Sequence, residues 1–115
     1  MGRAQDRGRL AEARAAELLN DSGLSTVTRN YRCRGGEIDL VMRDDDCLVF
    51  VEVRLRSHAA FGGPLASVTT TKQARLITAA RHYLASTGWS GPCRFDVVGF
   101  DGKGQADWVR NAIEV

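Results

Sequence analysis

Two acids stand where a chain of this kind normally puts hydrocarbon. The stretch Gly36 to Arg54, GEIDLVMRDDDCLVFVEVR, carries Asp39 among Ile38, Leu40 and Val41, and Glu52 among Phe50, Val51 and Val53. An isolated ionised carboxylate is very costly to take out of water. Two close together repel, so one tends to keep its proton unless a cation sits between them. A divalent ion removes that conflict. Mg²⁺ takes hard oxygen ligands, typically one or two carboxylates completed by water and substrate phosphate. Asp39 and Glu52, on neighbouring strands, could supply that pair. A second arrangement needs no ion: Glu37 and Glu52 pair across strands with Arg54 and Arg56 as a salt-bridge array. Composition leaves both open.

The elements that must position these acids follow from the local pattern. Glu37–Arg43 and Cys47–Arg56 read as two strands joined by the acidic DDD turn, an antiparallel hairpin. Strand side chains alternate faces. Alternation groups Leu48, Phe50, Glu52, Arg54 and Arg56 on one side, against Val49, Val51, Val53 and Leu55. It groups Glu37, Asp39 and Val41 against Ile38, Leu40 and Met42. Each strand then has one apolar side and one that starts apolar and turns polar, as expected of a central hairpin with a polar site at one end.

Around the hairpin, Gln5–Asn20 is rich in Ala, Leu, Glu and Arg and predicts a helix, with Gly23 as its C-terminal cap. Leu24–Arg32 predicts a strand and residues 34–36 a turn. Residues 57–65, SHAAFGGPL, predict a Gly/Pro loop. Thr70–Thr87 predicts a helix with Leu76, Ile77, Ala80, Tyr83 and Leu84 on one face. Arg94–Phe100 is a further strand, and Trp108–Val115 a last one. The order α-β-β-β-α-β(-β) implies an α/β fold, a mixed sheet flanked by helices.

A chain of 115 residues suits one domain, 1–115, with a core that needs no disulfides. Three cysteines, Cys33, Cys47 and Cys93, show no metal-ligand spacing, so reduced thiols are expected rather than structural zinc or a disulfide framework. The charged N-terminus does not resemble a signal peptide and no stretch suggests a membrane span, so a cytoplasmic protein is expected.

The formal net charge of +2 hides a sharp segregation. Residues 1–34 hold seven Arg against four acids, residues 35–53 six acids against one Arg, and residues 54–94 five Arg and one Lys with no acid. An acidic cluster bracketed by basic segments is a candidate polyanion-facing side. Lys72, Arg75 and His82 fall along one flank of the 70–87 helix. Arg56, Lys72 and Arg75 are the candidates for phosphate contacts, which would give salt-sensitive, largely sequence-independent binding. His82 reads as a surface or packing residue, Phe61 as a plug over the core, and Trp89 and Trp108 as packing or interface residues. Thr70-x-x-Gln73 fits a helix capping box, which needs no function.

The strings RNYRCRGGEIDLVMRDDDCLVFVEVRLRS, FGGPLASVTTTKQARL and RFDVVGF closely resemble the YraN-like family of bacterial proteins, over about Gly8 to Phe100. That family is placed in the PD-(D/E)XK nuclease superfamily and is similar to Holliday-junction resolvases. The resemblance implies a restriction-endonuclease-like fold and hydrolysis of DNA, branched DNA included, with Mg²⁺ or Mn²⁺. The superfamily's acid, glutamate and lysine fall on Asp39, Glu52 and Arg54. Its helical acid matches Glu12, which shares a helix side with Ala15, Ala16 and Leu19. Its Gln or Lys at the start of the following helix points to Lys72 or Gln73. If the resolvase likeness holds, a twofold homodimer is expected. The departure is Arg54: an arginine keeps the positive charge and binds phosphate bidentately, but it does not accept a proton and needs more room than lysine.

Overall fold

The two apolar strands form the middle of a five-stranded sheet. The structure is a computed structural model that describes residues 3–55 and 68–114, and the side chains of all of these but 3–7. Its elements are α1 (Arg3–Asp21), β1 (Ser25–Cys33), β2 (Gly36–Asp44), β3 (Cys47–Leu55), α2 (Thr70–Thr87), β4 (Cys93–Phe100) and β5 (Ala106–Val109). The strands lie in chain order. β3 and β4 run parallel, and the other neighbouring pairs are antiparallel. The parallel pair requires a crossover, which α2 supplies. The expected α/β mixed sheet with helices is therefore present.

The core divides by sheet face. Ala11, Ala15, Ala16 and Leu19 of α1 pack with Leu40, Met42, Val49, Val51, Val98 and Phe100. Leu76, Ala79, Ala80 and Tyr83 of α2 pack with Ile38, Val41, Leu48, Phe50 and Phe95. On α2 the expected face gains Ala79, while Ile77 and Leu84 are only partly buried. Gly23 ends α1 as expected: at φ +101° it lets Leu24 N–H reach the Leu19 carbonyl and its own N–H reach Asn20, each at 3.0 Å.

Three expectations need correction. The α2 cap is Thr69, not Thr70: the Thr69 hydroxyl accepts from the Lys72 amide at 3.2 Å. The last strand is Ala106–Val109 rather than Trp108–Val115. The chain turns after it because Asn111 adopts φ +50° and its N–H is held by Asp96 Oδ1 at 2.9 Å. Finally, Ile38 does not share a face with Leu40 and Met42, since it belongs to the cluster under α2 and they to the cluster under α1.

The reason for the last correction lies in the sheet itself. The β2–β3 ladder stops at Leu40–Val51. Beyond that point β2 continues beside β1 as far as Gly36–Cys33, and β3 continues beside β4 as far as Leu55–Phe100. The two hairpin strands fork. At the fork the Val53 amide is accepted by Asp39 Oδ2, at 2.8 Å. A side chain thus satisfies a donor that regular pairing leaves open, and simple alternation fails across it.

Candidate functional site

Asp39 and Glu52 meet in the fork. Each lines a cleft of about 580 Å³, together with Gly8, Ala11 and Glu12 from α1, Glu37 from β2, Arg54 from β3, and Thr69, Thr71, Lys72 and Arg75 from the start of α2. Gly36 makes this convergence possible. A Cβ there would lie 2.3 Å from the Arg75 carbonyl oxygen and 2.8 Å from the Ala79 amide, so only glycine lets α2 settle this close to β2. That contact brings Lys72 and Arg75 to the rim. Lys72 is half-buried and Arg75 exposed.

The acids carry more negative charge than their surroundings neutralise. Burial, then the Glu52 and Glu37 charges, push the Asp39 carboxyl up to about 7, against the Val53 amide that favours its ionised form. Glu52 is also raised by burial, opposed by Arg54, by a hydrogen bond from Asp39 and by Lys72. The two carboxyls thus act on each other in the fork, with Asp39 held well above the ordinary carboxylate range. Glu12 is raised as well, by burial first and then by Asp39, while Asn30 hydrogen-bonds it and Arg32 and Arg29 attract it. Three carboxyl groups on three elements thus feel one another across the cleft.

The salt-bridge array left open by composition occurs in part. Glu52 pairs with Arg54 at 3.5 Å, the two side chains being 12% and 23% exposed. Glu37 pairs with Arg32, its neighbour across the β1–β2 ladder, at 3.7 Å. These pairs leave the cleft open. The donor set is hard oxygen, which suits Mg²⁺ or Mn²⁺. Among the described residues no three His, Cys, Asp or Glu side chains form a ready-made ion cage. One or two carboxylates with water and phosphate is the coordination Mg²⁺ ordinarily accepts, so Asp39 and Glu52 fit it.

The remaining candidates distribute unevenly. Glu12, Arg54, Lys72 and Arg75 line the cleft. Gln73 does not: its side-chain amide donates to the Val68 carbonyl at 3.1 Å and ties down the segment leading into α2. Arg56, His58 and Phe61 lie outside the described residues. His82 is exposed and bonds Tyr31 through its ring nitrogen. Trp108 and Trp89 are half-buried, each packing against one core cluster. The three cysteines are free thiols, and no described helix is long and apolar enough to cross a membrane.

Sequence reasoning missed Asn30, whose φ of +54° interrupts β1 and brings its amide to Glu12. A strand-depleted Asn within STVTRNYRC was the available signal. It also missed the arginines gathered around Glu12, for which no local signal exists.

The family described as Uncharacterised protein family UPF0102 matches residues 11–100, so the chain belongs to that family, the YraN-like proteins. A UPF0102 protein of Nitrosomonas europaea is 51% identical over 116 residues, covering 99% of this chain and 98% of its own length. One from Stutzerimonas stutzeri is 53% identical over 119 residues, covering 99% of each. One from Cupriavidus metallidurans is 56% identical over 109 residues, covering 94% of this chain and 81% of its own length.

Proposed function

We propose that the protein is a Mg²⁺- or Mn²⁺-dependent endonuclease-like phosphodiesterase acting on DNA, with branched DNA as the favoured substrate class. One observation carries this reading: Asp39 and Glu52 line one open cleft together with the cations Arg54, Lys72 and Arg75. The likeness of G-E-I-D-L and F-V-E-V-R to the PD-(D/E)XK nucleases supports it.

A divalent ion, held by the ionised Asp39 and Glu52 in the fork, would supply polarisation of the scissile phosphate and a water of lowered pKa. The chain's own residues do the rest. Glu12, on α1, faces the same space and takes a hydrogen bond from water there. Arg54 presents its guanidinium on the Glu52 side and offsets charge that develops on the phosphate. Lys72 and Arg75 hold the backbone at the α2 rim. Gln73 keeps α2 in place through Val68 rather than touching substrate. A four-way junction presents paired strands, so cutting it symmetrically calls for a twofold dimer.

Calorimetric titration with Mg²⁺ and Mn²⁺ tests the site. Binding is expected in the parent chain and its loss in Asp39→Asn and Glu52→Gln, which keep shape and remove charge. No binding in the parent chain would remove the hydrolytic reading.

A second reading has its own observation. Arg54 stands where related nucleases carry lysine and is paired with Glu52, which suits a module that holds nucleic acid without cutting. Cleavage of junction and single-stranded DNA by Arg54→Lys separates the two. A large gain over the parent chain favours the non-cutting module, and equal cleavage favours the nuclease.

A further inference from the structure

The acid-lined cleft does not end at Glu12. A second cleft of about 480 Å³ adjoins it, lined by Gly8, Arg9, Glu12, Asn30 and Arg32, so Gly8 and Glu12 belong to both. Its walls have the opposite character. Arg9 and Arg32 line it, and Arg29 of the same β1 edge lies close enough to act on Glu12. The counter-charge is thin: Arg32 meets Glu37 only at 3.7 Å, with the two side chains 73% and 49% exposed. Such an exposed pair holds little energy and exchanges readily for a stronger anion. Asn30 is fixed in the left-handed region at φ +54°, and there it keeps Glu12 hydrogen-bonded at the border of the two spaces.

Lys72 and Arg75 therefore line the first cleft with the acids, and Arg9 and Arg32 line the second, which shares Glu12 with it. We infer that the second cleft is a phosphate subsite for the sugar–phosphate backbone flanking the acid site, so that one nucleic-acid strand is held on both sides of Asp39 and Glu52. The inference rests on the nucleic-acid reading above but not on cleavage. Arginine suits the task, since its planar fork pairs bidentately with phosphate oxygens. A strand held at both ends places its middle phosphate over the acids, where one-sided binding leaves it free to swing away.

The test is fluorescence anisotropy of a labelled single-stranded thymidine dodecamer in Ca²⁺ buffer, over a salt series. Arg9→Ala/Arg32→Ala is expected to weaken binding about tenfold and to lower the slope of log affinity against log salt by about 1.5, two lost phosphate contacts. Arg9→Lys/Arg32→Lys is expected to retain most of the salt slope, which a folding defect would not allow. Arg81→Ala/Lys103→Ala removes the same charge from exposed positions outside both clefts and is the control. If the Arg9/Arg32 alanine pair behaves like that control, the subsite is overturned even when Lys72→Ala/Arg75→Ala weakens binding. If the parent chain fails to cut with Mg²⁺ or Mn²⁺ while the Arg9/Arg32 effect persists, the nuclease reading falls and the subsite stands. Absence of dodecamer binding by the parent chain overturns both.

Discussion

Two acids in this sheet stand under opposite conditions. Asp96 in β4 is fully buried, and both its oxygens are occupied. Arg94 reaches them at 3.0, 3.2 and 3.3 Å, the Trp108 indole at 3.0 Å and the Asn111 amide at 2.9 Å. Arg94 in turn bonds Asp44 at 3.0 Å. Asp39 in β2 receives one backbone amide and faces two other carboxylates. The first acid is satisfied by the fold and clamps β5 and the C-terminal turn to β4. The second is left with a demand the fold does not meet, and an unmet demand in an open cleft is what a ligand answers.

The sharpest way to break this contrast is to delete each acid in turn. Asp96→Ala strands Arg94, the Trp108 N–H and the Asn111 amide, and should cost about 3 kcal/mol of stability in denaturant unfolding. Asp39→Asn should cost far less, because an amide oxygen can still accept from Val53. Equal losses would mean that Asp39 is a structural acid like Asp96.

A pH series sharpens the contrast further. Between the ordinary carboxyl value of 3.8 and the folded value of about 7, folded Asp39 holds a proton that the unfolded chain has released. Stability in metal-free buffer should therefore fall as pH rises through that window, by on the order of 4 kcal/mol. Asp39→Asn should flatten the fall, and so should excess Mg²⁺ in the parent chain. A profile unchanged by both would show that Asp39 ionises without strain.

The smallest effect concerns the helix that brings cations to the cleft. Thr69→Ala leaves the Lys72 amide uncapped and should cost about 1 kcal/mol in thermal unfolding. A much larger loss would show that the start of α2 bears on the core and not only on the rim.

Much of this was legible in the chain because it is local. Runs such as LVFVEV and the helical spacing of Leu76, Ala80 and Tyr83 are short-range patterns, and they located β3 and α2 within a residue or so. Asp39 and Glu52 stood out because charge is out of place in such strands. What stayed hidden depends on long-range geometry. Alternation assumes an unbroken ladder, so it misassigned Ile38 at the fork. Thr70 resembles a cap as well as Thr69 does, and only the direction of the entering chain decides between them. Arg9 and Arg32 are far apart in sequence and meet only because α1 crosses the sheet near the β1 edge.

The bond from Val53 to Asp39 carries a further implication. It makes one carboxyl group both a prospective ligand and the acceptor that bridges the gap between β2 and β3. Anything that draws on that oxygen would compete with the Val53 amide, so affinity there and the seam of the sheet are tuned by the same atom.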